Sequence, residues 1–160
     1  MLDYLRPSRV ERKVSKDVFP VIYSTLDSRA LVARVLSQYE IGRVTNCLFW
    51  HRGLSDVYLV ETATNSYILR ISHQHWRSES DIAFELELLD FLQQRHIPVA
   101  NPLRTEDDRL FIEINAPEGQ RHAALFIYAP GQVALGDLNP TQSHKLGETL
   151  ARLHQAALDV

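Results

Sequence analysis

Between Trp50 and Ile71 the chain reads W-H-R-G-L-S-D-V-Y-L-V-E-T-A-T-N-S-Y-I-L-R-I, and this run constrains the fold more than any other. Leu59 and Val60 lie in a β-branched and aromatic segment, Ala63-Thr64-Asn65-Ser66 is turn material, and Tyr67 to Ile71 resumes strand character. Two antiparallel strands joined by a tight turn follow. Ahead of them, Arg52-Gly53-Leu54-Ser55-Asp56 holds the single glycine between Gly42 and Gly119. A glycine there lets backbone N–H groups and the Ser55 hydroxyl approach an anion that a Cβ would keep away. Arg70 is the cation expected on the same side.

A helix follows, in which Ile82, Leu86, Leu89 and Leu92 recur at helical spacing. At roughly 100° per residue, Glu85 falls beside that stripe and Glu87 projects away from it. A carboxylate at an apolar face needs a positive partner. Arg70, in the strand just before this helix, is the nearest candidate; the bland alternative has Glu85 reaching water at the stripe's edge. Phe111 to Ile114 and Ala123 to Tyr128 then read as two further strands, the second stopping at Ala129-Pro130-Gly131. Val44 to His51 is the first strand of the sheet, with Phe49 and Trp50 on opposite faces.

This order resembles the N-terminal lobe of the aminoglycoside phosphotransferase and choline kinase-like family, a relative of the protein kinases. The resemblance lies in G-L-S-D-x-Y-x-V from Gly53, Y-I-L-R-I from Tyr67 and E-x-x-L-L-x-x-L from Glu85. It continues in I-P-V-A-N-P-L from Ile97, Y-A-P-G from Tyr128 and L-G-E-T-L-A-R-L-H from Leu146. The fold it implies is α+β: an antiparallel sheet of about five strands with a packed helix, preceded by an N-terminal helix and followed by the first helix of a second lobe. The expected organisation is an arm and helix over 1–42, a nucleotide-binding lobe with hinge over 43–131, and a linker and helix over 132–160.

The resemblance also implies roles. Gly53, Ser55 and the backbone around Asp56 would lie over the phosphates of ATP or GTP, with Val57 roofing the adenine. Ile68 would face the base and Arg70 the phosphates, oriented by Glu85, where protein kinases use lysine. Phe126 would back the pocket, with the Ile127 carbonyl and the Ala129 amide at the adenine edge. Asp56 reads as a turn-forming side chain, since a carboxylate is repelled by phosphate. Arg52 stands where the family usually has a small residue, and would add a phosphate contact or stiffen the turn.

Other functions find less support. With a net charge of −3, the chain has no general attraction for nucleic acid or anionic membranes. Cys47 is the single cysteine, which excludes an intramolecular disulfide and reads as a buried, inert thiol. No apolar run approaches the roughly 20 residues of a membrane span, and no signal-peptide core follows Met1, so a cytosolic protein is expected. His73 and His75 could face one metal, but a third ligand at suitable spacing is lacking. The basic residues Arg6, Arg9, Arg12, Lys13 and Lys16 suggest a solvated arm. Phe19 to Tyr23 could pack as an extended strap. Asp27 or Ser28 then caps a helix expected to run to about Tyr39.

The final helix is signalled by Asn139-Pro140 with Gln142 three residues after the cap, and carries Leu146, Leu150 and Leu153 as its apolar stripe. Phosphoryl transfer needs an aspartate for the acceptor hydroxyl and ligands for Mg²⁺. The resemblance places those in an H-G-D-x-x-x-x-N motif and a later I-D motif, and no H-G-D occurs in these 160 residues. The expectation is a nucleotide-binding lobe that does not turn over alone, with an apolar patch near Leu150 and Leu153 through which it could associate. The alternatives are a non-catalytic nucleotide-binding or regulatory module and a structural interaction domain.

Overall fold

The computed structural model describes residues 19–132 and 136–158; the basic positions Arg6 to Lys16 lie outside them. Five strands form one sheet: β1 (Val44–Arg52), β2 (Ser55–Thr62), β3 (Ser66–Ser72), β4 (Ile112–Ala116) and β5 (Gly119–Ile127). Their order is β1-β2-β3-β5-β4, every neighbouring pair antiparallel. The helices are α1 (Ser28–Arg34), α2 (Glu79–Gln94) and α3 (Pro140–Ala157). None of the described helices is long and apolar enough to cross a membrane.

Strand alternation divides the sheet into two apolar faces. On one, Cys47, Tyr58, Val60, Leu69 and Ile71 pack with Leu31 and Val35 and with Leu36 and Tyr39 just beyond α1. On the other, Ile68, Ala124 and Phe126 meet Ile82 and Leu86 of α2. As the periodicity requires, Ile82, Leu86 and Leu92 are buried and Glu87 is exposed. A capping box between Ser78 and Asp81 starts α2, and the one between Asn139 and Gln142 starts α3.

Three expectations need correction. The first helix stops at Arg34 instead of running to Tyr39, and a 3₁₀ turn covers Leu36–Gln38. There the Ser37 hydroxyl donates to the Ala33 carbonyl (2.9 Å) and the Gln38 amide to the Arg34 carbonyl (2.6 Å). Such local side-chain bonds compete with the next helical turn. The strap is anchored chiefly at Tyr23, whose ring lies 5.2 Å from that of His73, while Phe19 is 90% exposed. Finally, β5 begins at Gly119 and carries Gln120, Arg121 and His122, a polar stretch ahead of the strand expected from Ala123.

The last helix docks by its C-terminal end. Ala156 is buried and Leu153 half-buried against Leu92 and Ile97, whereas Leu146 and Leu150 are exposed. The apolar stripe is thus used only at its end, and its first half faces solvent.

Candidate functional site

The cross-strand register sets Val57 opposite Arg70, and Ile68 opposite both Leu59 and Phe126. Directly opposed residues share a sheet face, so Val57, Ile68, Arg70 and Phe126 lie together on the α2 side. Phe126 is buried at the back, with Val57 and Ile68 half-buried. Arg70 is fixed from two directions: its Nη2 donates to Glu85 Oε1 at 2.7 Å, and its guanidinium lies 4.6 Å from the centroid of the Phe126 ring. The strand-to-helix pair expected from periodicity is therefore present.

A second cation joins it. Arg77, to which no periodicity points, donates to Glu85 Oε2 and to the Asp81 carbonyl. Burial pushes the Glu85 carboxyl up, but the hydrogen bonds from Arg77 and Arg70 outweigh that and hold it below the usual range. One carboxylate thus faces two guanidinium groups.

The turn after β1 is shaped by a β-bulge between Phe49 and His51. The extra residue shifts the alternation by one, so that Phe49 packs on Tyr58 of the α1 side while Arg52 turns to that same side. Arg52 Nε donates to Asp56 Oδ1 at 2.6 Å and its Nη2 to Thr25 Oγ1 at 2.9 Å. Of the two roles open to Arg52, the observed one is stiffening of the turn.

Asp56 differs from expectation. It is a strand residue, fully buried on the α1 face. Arg121 Nη2, itself buried, donates to its Oδ2 at 2.7 Å, and His73 Nε2 lies 3.2 Å from Oδ1. Burial alone would raise this carboxyl. The hydrogen bonds of Arg52, Arg121 and His73 win, lowering it to about 2. His73 is thereby engaged with Asp56 and not with His75. The cluster clamps β1, β2, β3 and β5 behind the hairpin.

At the hairpin tip, the Gly53 N–H donates to the Ser55 carbonyl at 3.0 Å. Gly53 is not in the left-handed region, and a Cβ built there would meet nothing within 4 Å. Folding does not require glycine at this position. Only a group arriving from outside would feel a side chain.

At the far end of the face, the chain leaves β5 through Ile127, Tyr128 and Ala129. The Ile127 N–H donates to the Asn101 carbonyl (3.0 Å) and the Tyr128 N–H to the Ser66 carbonyl (3.2 Å), which holds this exit against the sheet. Ile127 and Ala129 are exposed. A cavity of about 580 Å³ lines Glu61–Tyr67 and reaches Ile127, Tyr128 and Pro130, but not Val57, Ile68 or Arg70. The face carrying Arg70 is an open wall and not an enclosed cavity.

Among the described residues, Glu79, Glu113 and His122 also bring ligand-grade atoms within 4.8 Å of one another. They come from α2, β4 and β5, and spacing in the sequence gives no hint of them.

The arrangement can grip a polyanion at Arg70 and the Gly53 tip while packing a flat apolar ring against Val57, Ile68 and Phe126. Comparison with known proteins bears on the family and the fold. The model of the phosphotransferase enzyme family matches residues 48–160. An uncharacterized protein of Synechocystis sp. is 58% identical over 158 residues, 98% of this chain and 44% of its own length. A homoserine kinase of Granulibacter bethesdensis is 28% identical over 139 residues, 86% of this chain and 41% of its own. The chain therefore spans less than half the length of these relatives. Among solved structures, an amicoumacin kinase in complex with AMP-PNP and Ca²⁺ superposes with a TM-score of 0.69 at 25% identity, over 82% of this chain and 40% of that one. The strand order, the Arg70–Glu85 pair and these matches agree: the chain belongs to the phosphotransferase enzyme family and has the fold of a kinase-like N-terminal lobe.

Proposed function

We propose that this chain is the nucleotide-binding lobe of a cytoplasmic phosphotransferase that moves the γ-phosphate of ATP or GTP to a hydroxyl of a small molecule. The observation that carries the reading is Arg70, held 2.7 Å from Glu85 on the same face as Val57, Ile68 and Phe126. Arg70 binds the phosphates, its planar fork suiting a bidentate grip. The Gly53 and Ser55 backbone and hydroxyl close over them. Val57 and Ile68 pack on the base, Phe126 backs it, and the Ile127 carbonyl and Ala129 amide take its polar edge.

A divalent cation such as Mg²⁺ would neutralise phosphate charge in this chemistry. Its ligands and the aspartate that orients the acceptor belong to the second lobe of the family, of which α3 is the first element. In this reading residues 43–131 form the nucleotide lobe with its hinge, 1–42 precede it, and 132–160 lead into the second lobe. Exposed Leu146 and Leu150 seat against that lobe or, without it, against another copy of the helix. Homoserine and amicoumacin, named in the similar proteins, are two acceptors to assay in the full enzyme.

The test is thermal unfolding with Mg²⁺-ATP, Mg²⁺-GTP and Mg²⁺ alone. A nucleotide present at about 100 times its Kd stabilises the chain by about 2.7 kcal/mol, a shift of several degrees. No shift with either nucleotide contradicts the reading. Gly53→Ala supplies an internal control. It is expected to leave the unfolding midpoint within about 2 °C of wild type, because Gly53 has open space and an ordinary backbone. Its nucleotide affinity is expected to fall about fivefold or more, because the added methyl stands where backbone must approach phosphate. Equal affinity in the variant removes the Gly53 tip from the site.

A further inference from the structure

Glu79 is the first residue of α2, directly after its Ser78 cap. Glu113 of β4 and His122 of β5 stand opposite one another, and directly opposed residues share a sheet face. Counting by twos from Ala124 and Phe126, that face is the α2 side. There a ring nitrogen of His122 and one carboxylate oxygen each from Glu79 and Glu113 lie within 4.8 Å of one another. Three separate elements thus bring an imidazole and two carboxylates to one point, at the β4 edge of the sheet.

The protein alone leaves these groups short of partners. His122 Nε2 is buried and has no hydrogen-bond partner among the described residues, a rare state for a buried polar atom. Among the same residues, neither Glu79 nor Glu113 forms an ion pair with an arginine or lysine. The arginines lining the adjoining cavity of about 370 Å³ are committed elsewhere, Arg104 to Asp90 and Asp108 and Arg109 to Asp107. Two carboxylates this close repel each other unless a cation stands between them. The contacts around them also orient the side chains. Gln120 Nε2 donates to Glu113 Oε2 at 2.5 Å, and the Phe111 ring stands edge-on to the imidazole at a centroid distance of 5.2 Å.

We infer that Glu79, Glu113 and His122 form a site for a divalent transition-metal ion of the Zn²⁺ class, which clips the first turn of α2 to the β4–β5 hairpin. One nitrogen and two carboxylate oxygens leave the fourth tetrahedral position to water. The nitrogen disfavours Mg²⁺, which takes oxygen ligands. Around an ion at about 2.1 Å, neighbouring ligand atoms stand about 3.4 Å apart, and rotation of the exposed Glu79 and Glu113 side chains closes that distance. The site goes beyond the nucleotide reading and does not depend on it.

The experiment follows thermal unfolding with ZnCl₂ and with MgCl₂, each without nucleotide, for the wild-type chain, Glu79→Gln and Glu113→Gln. Zn²⁺ is expected to raise the wild-type midpoint by several degrees and Mg²⁺ by less than about 1 °C. Both replaced side chains are exposed, so the metal-free midpoints should stay within about 2 °C of wild type. Zn²⁺ affinity, read by calorimetry, should fall at least about tenfold in each variant. In ¹⁵N spectra, Co²⁺ is expected to broaden the signals of Glu79, Glu113 and His122 before others. An equal Zn²⁺ shift in all three proteins, or Co²⁺ broadening centred on His144 and His154 of α3, places the metal elsewhere and overturns the site. So does a wild-type midpoint that Zn²⁺ leaves unchanged.

Discussion

Replacing Asp56 by alanine is expected to destabilise the lobe by about 3 kcal/mol, the lower end of the cost of depriving a buried charge of its main partner. The charge in question is Arg121, 1% exposed, whose Nη2 lies 2.7 Å from Asp56 Oδ2. Arg121 also donates to the Ser72 carbonyl at 2.7 Å and the Ser24 carbonyl at 2.9 Å, and its Nη1 lies 3.4 Å from Glu118 Oε1, a longer ion pair that offsets the charge only in part. Urea unfolding would read the loss as a lower midpoint at unchanged slope. A double replacement, Asp56→Leu with Arg121→Met, should recover much of it, because removing both charges also removes their desolvation cost. A loss below about 1 kcal/mol in the single variant would show that the cluster does not hold the sheet.

The same cluster sets a pH dependence. The folded Asp56 carboxyl titrates at about 2, below its unfolded range of roughly 3.9. A depressed carboxyl contributes stability that is fully present above the unfolded value and disappears as pH falls through the folded one. The window is about pH 4 to pH 2, and the group's share there is about 2 kcal/mol. Glu85 and Glu118 are lowered too and act in the same direction. Asp56→Ala should therefore flatten the acid limb of the stability curve without abolishing it.

Arg70→Ala is expected to weaken Mg²⁺-ATP binding about 10- to 100-fold, the range for a hydrogen bond to a charged group of about 1.5–3 kcal/mol. Unlike Asp56, Arg70 is partly exposed and its removal leaves Glu85 with Arg77, so the fold should lose little. Glu85→Gln should cost less affinity. Its amide oxygen still accepts from Arg70, and Phe126 still stacks under the guanidinium. Calorimetry on the three proteins checks the order. Unchanged affinity in both variants would remove the pair from nucleotide binding and leave it a surface ion pair.

The pair on the α2 face could be read from the sequence because each partner sits in a simple period. Arg70 alternates with Leu69 and Ile71 in a strand, and Glu85 lies one step from Leu86 on a helix, so two short rules bring them to one face. The Asp56 cluster follows no such rule. Asp56 and Arg121 are 65 residues apart, and their contact depends on β5 pairing with β3, which is a matter of sheet order. Arg52 reaches the same cluster only because the bulge reverses its face, and nothing in F-W-H-R announces an extra residue. Asp56 beside a glycine has the composition of a turn, and tertiary burial overrode that local preference. Likewise the opposite facing of Phe49 and Trp50 followed from alternation, but the meeting of Trp50 with Tyr128 reaches from β1 across β2 and β3 to the exit of β5.

The central claim is that the nucleotide occupies the α2 face of the sheet between the Gly53 tip and the exit of β5. Two-dimensional NMR of the ¹⁵N-labelled chain, recorded during titration with Mg²⁺-ATP, tests it most directly. The account predicts shifts concentrated at Gly53, Ser55, Val57, Ile68 and Arg70, with Ile127 and Ala129 moving at the other end, and little change at Leu31, Val35 or Cys47 on the opposite face. Shifts centred on α1, or a folded chain whose spectrum ATP leaves unchanged, would contradict it.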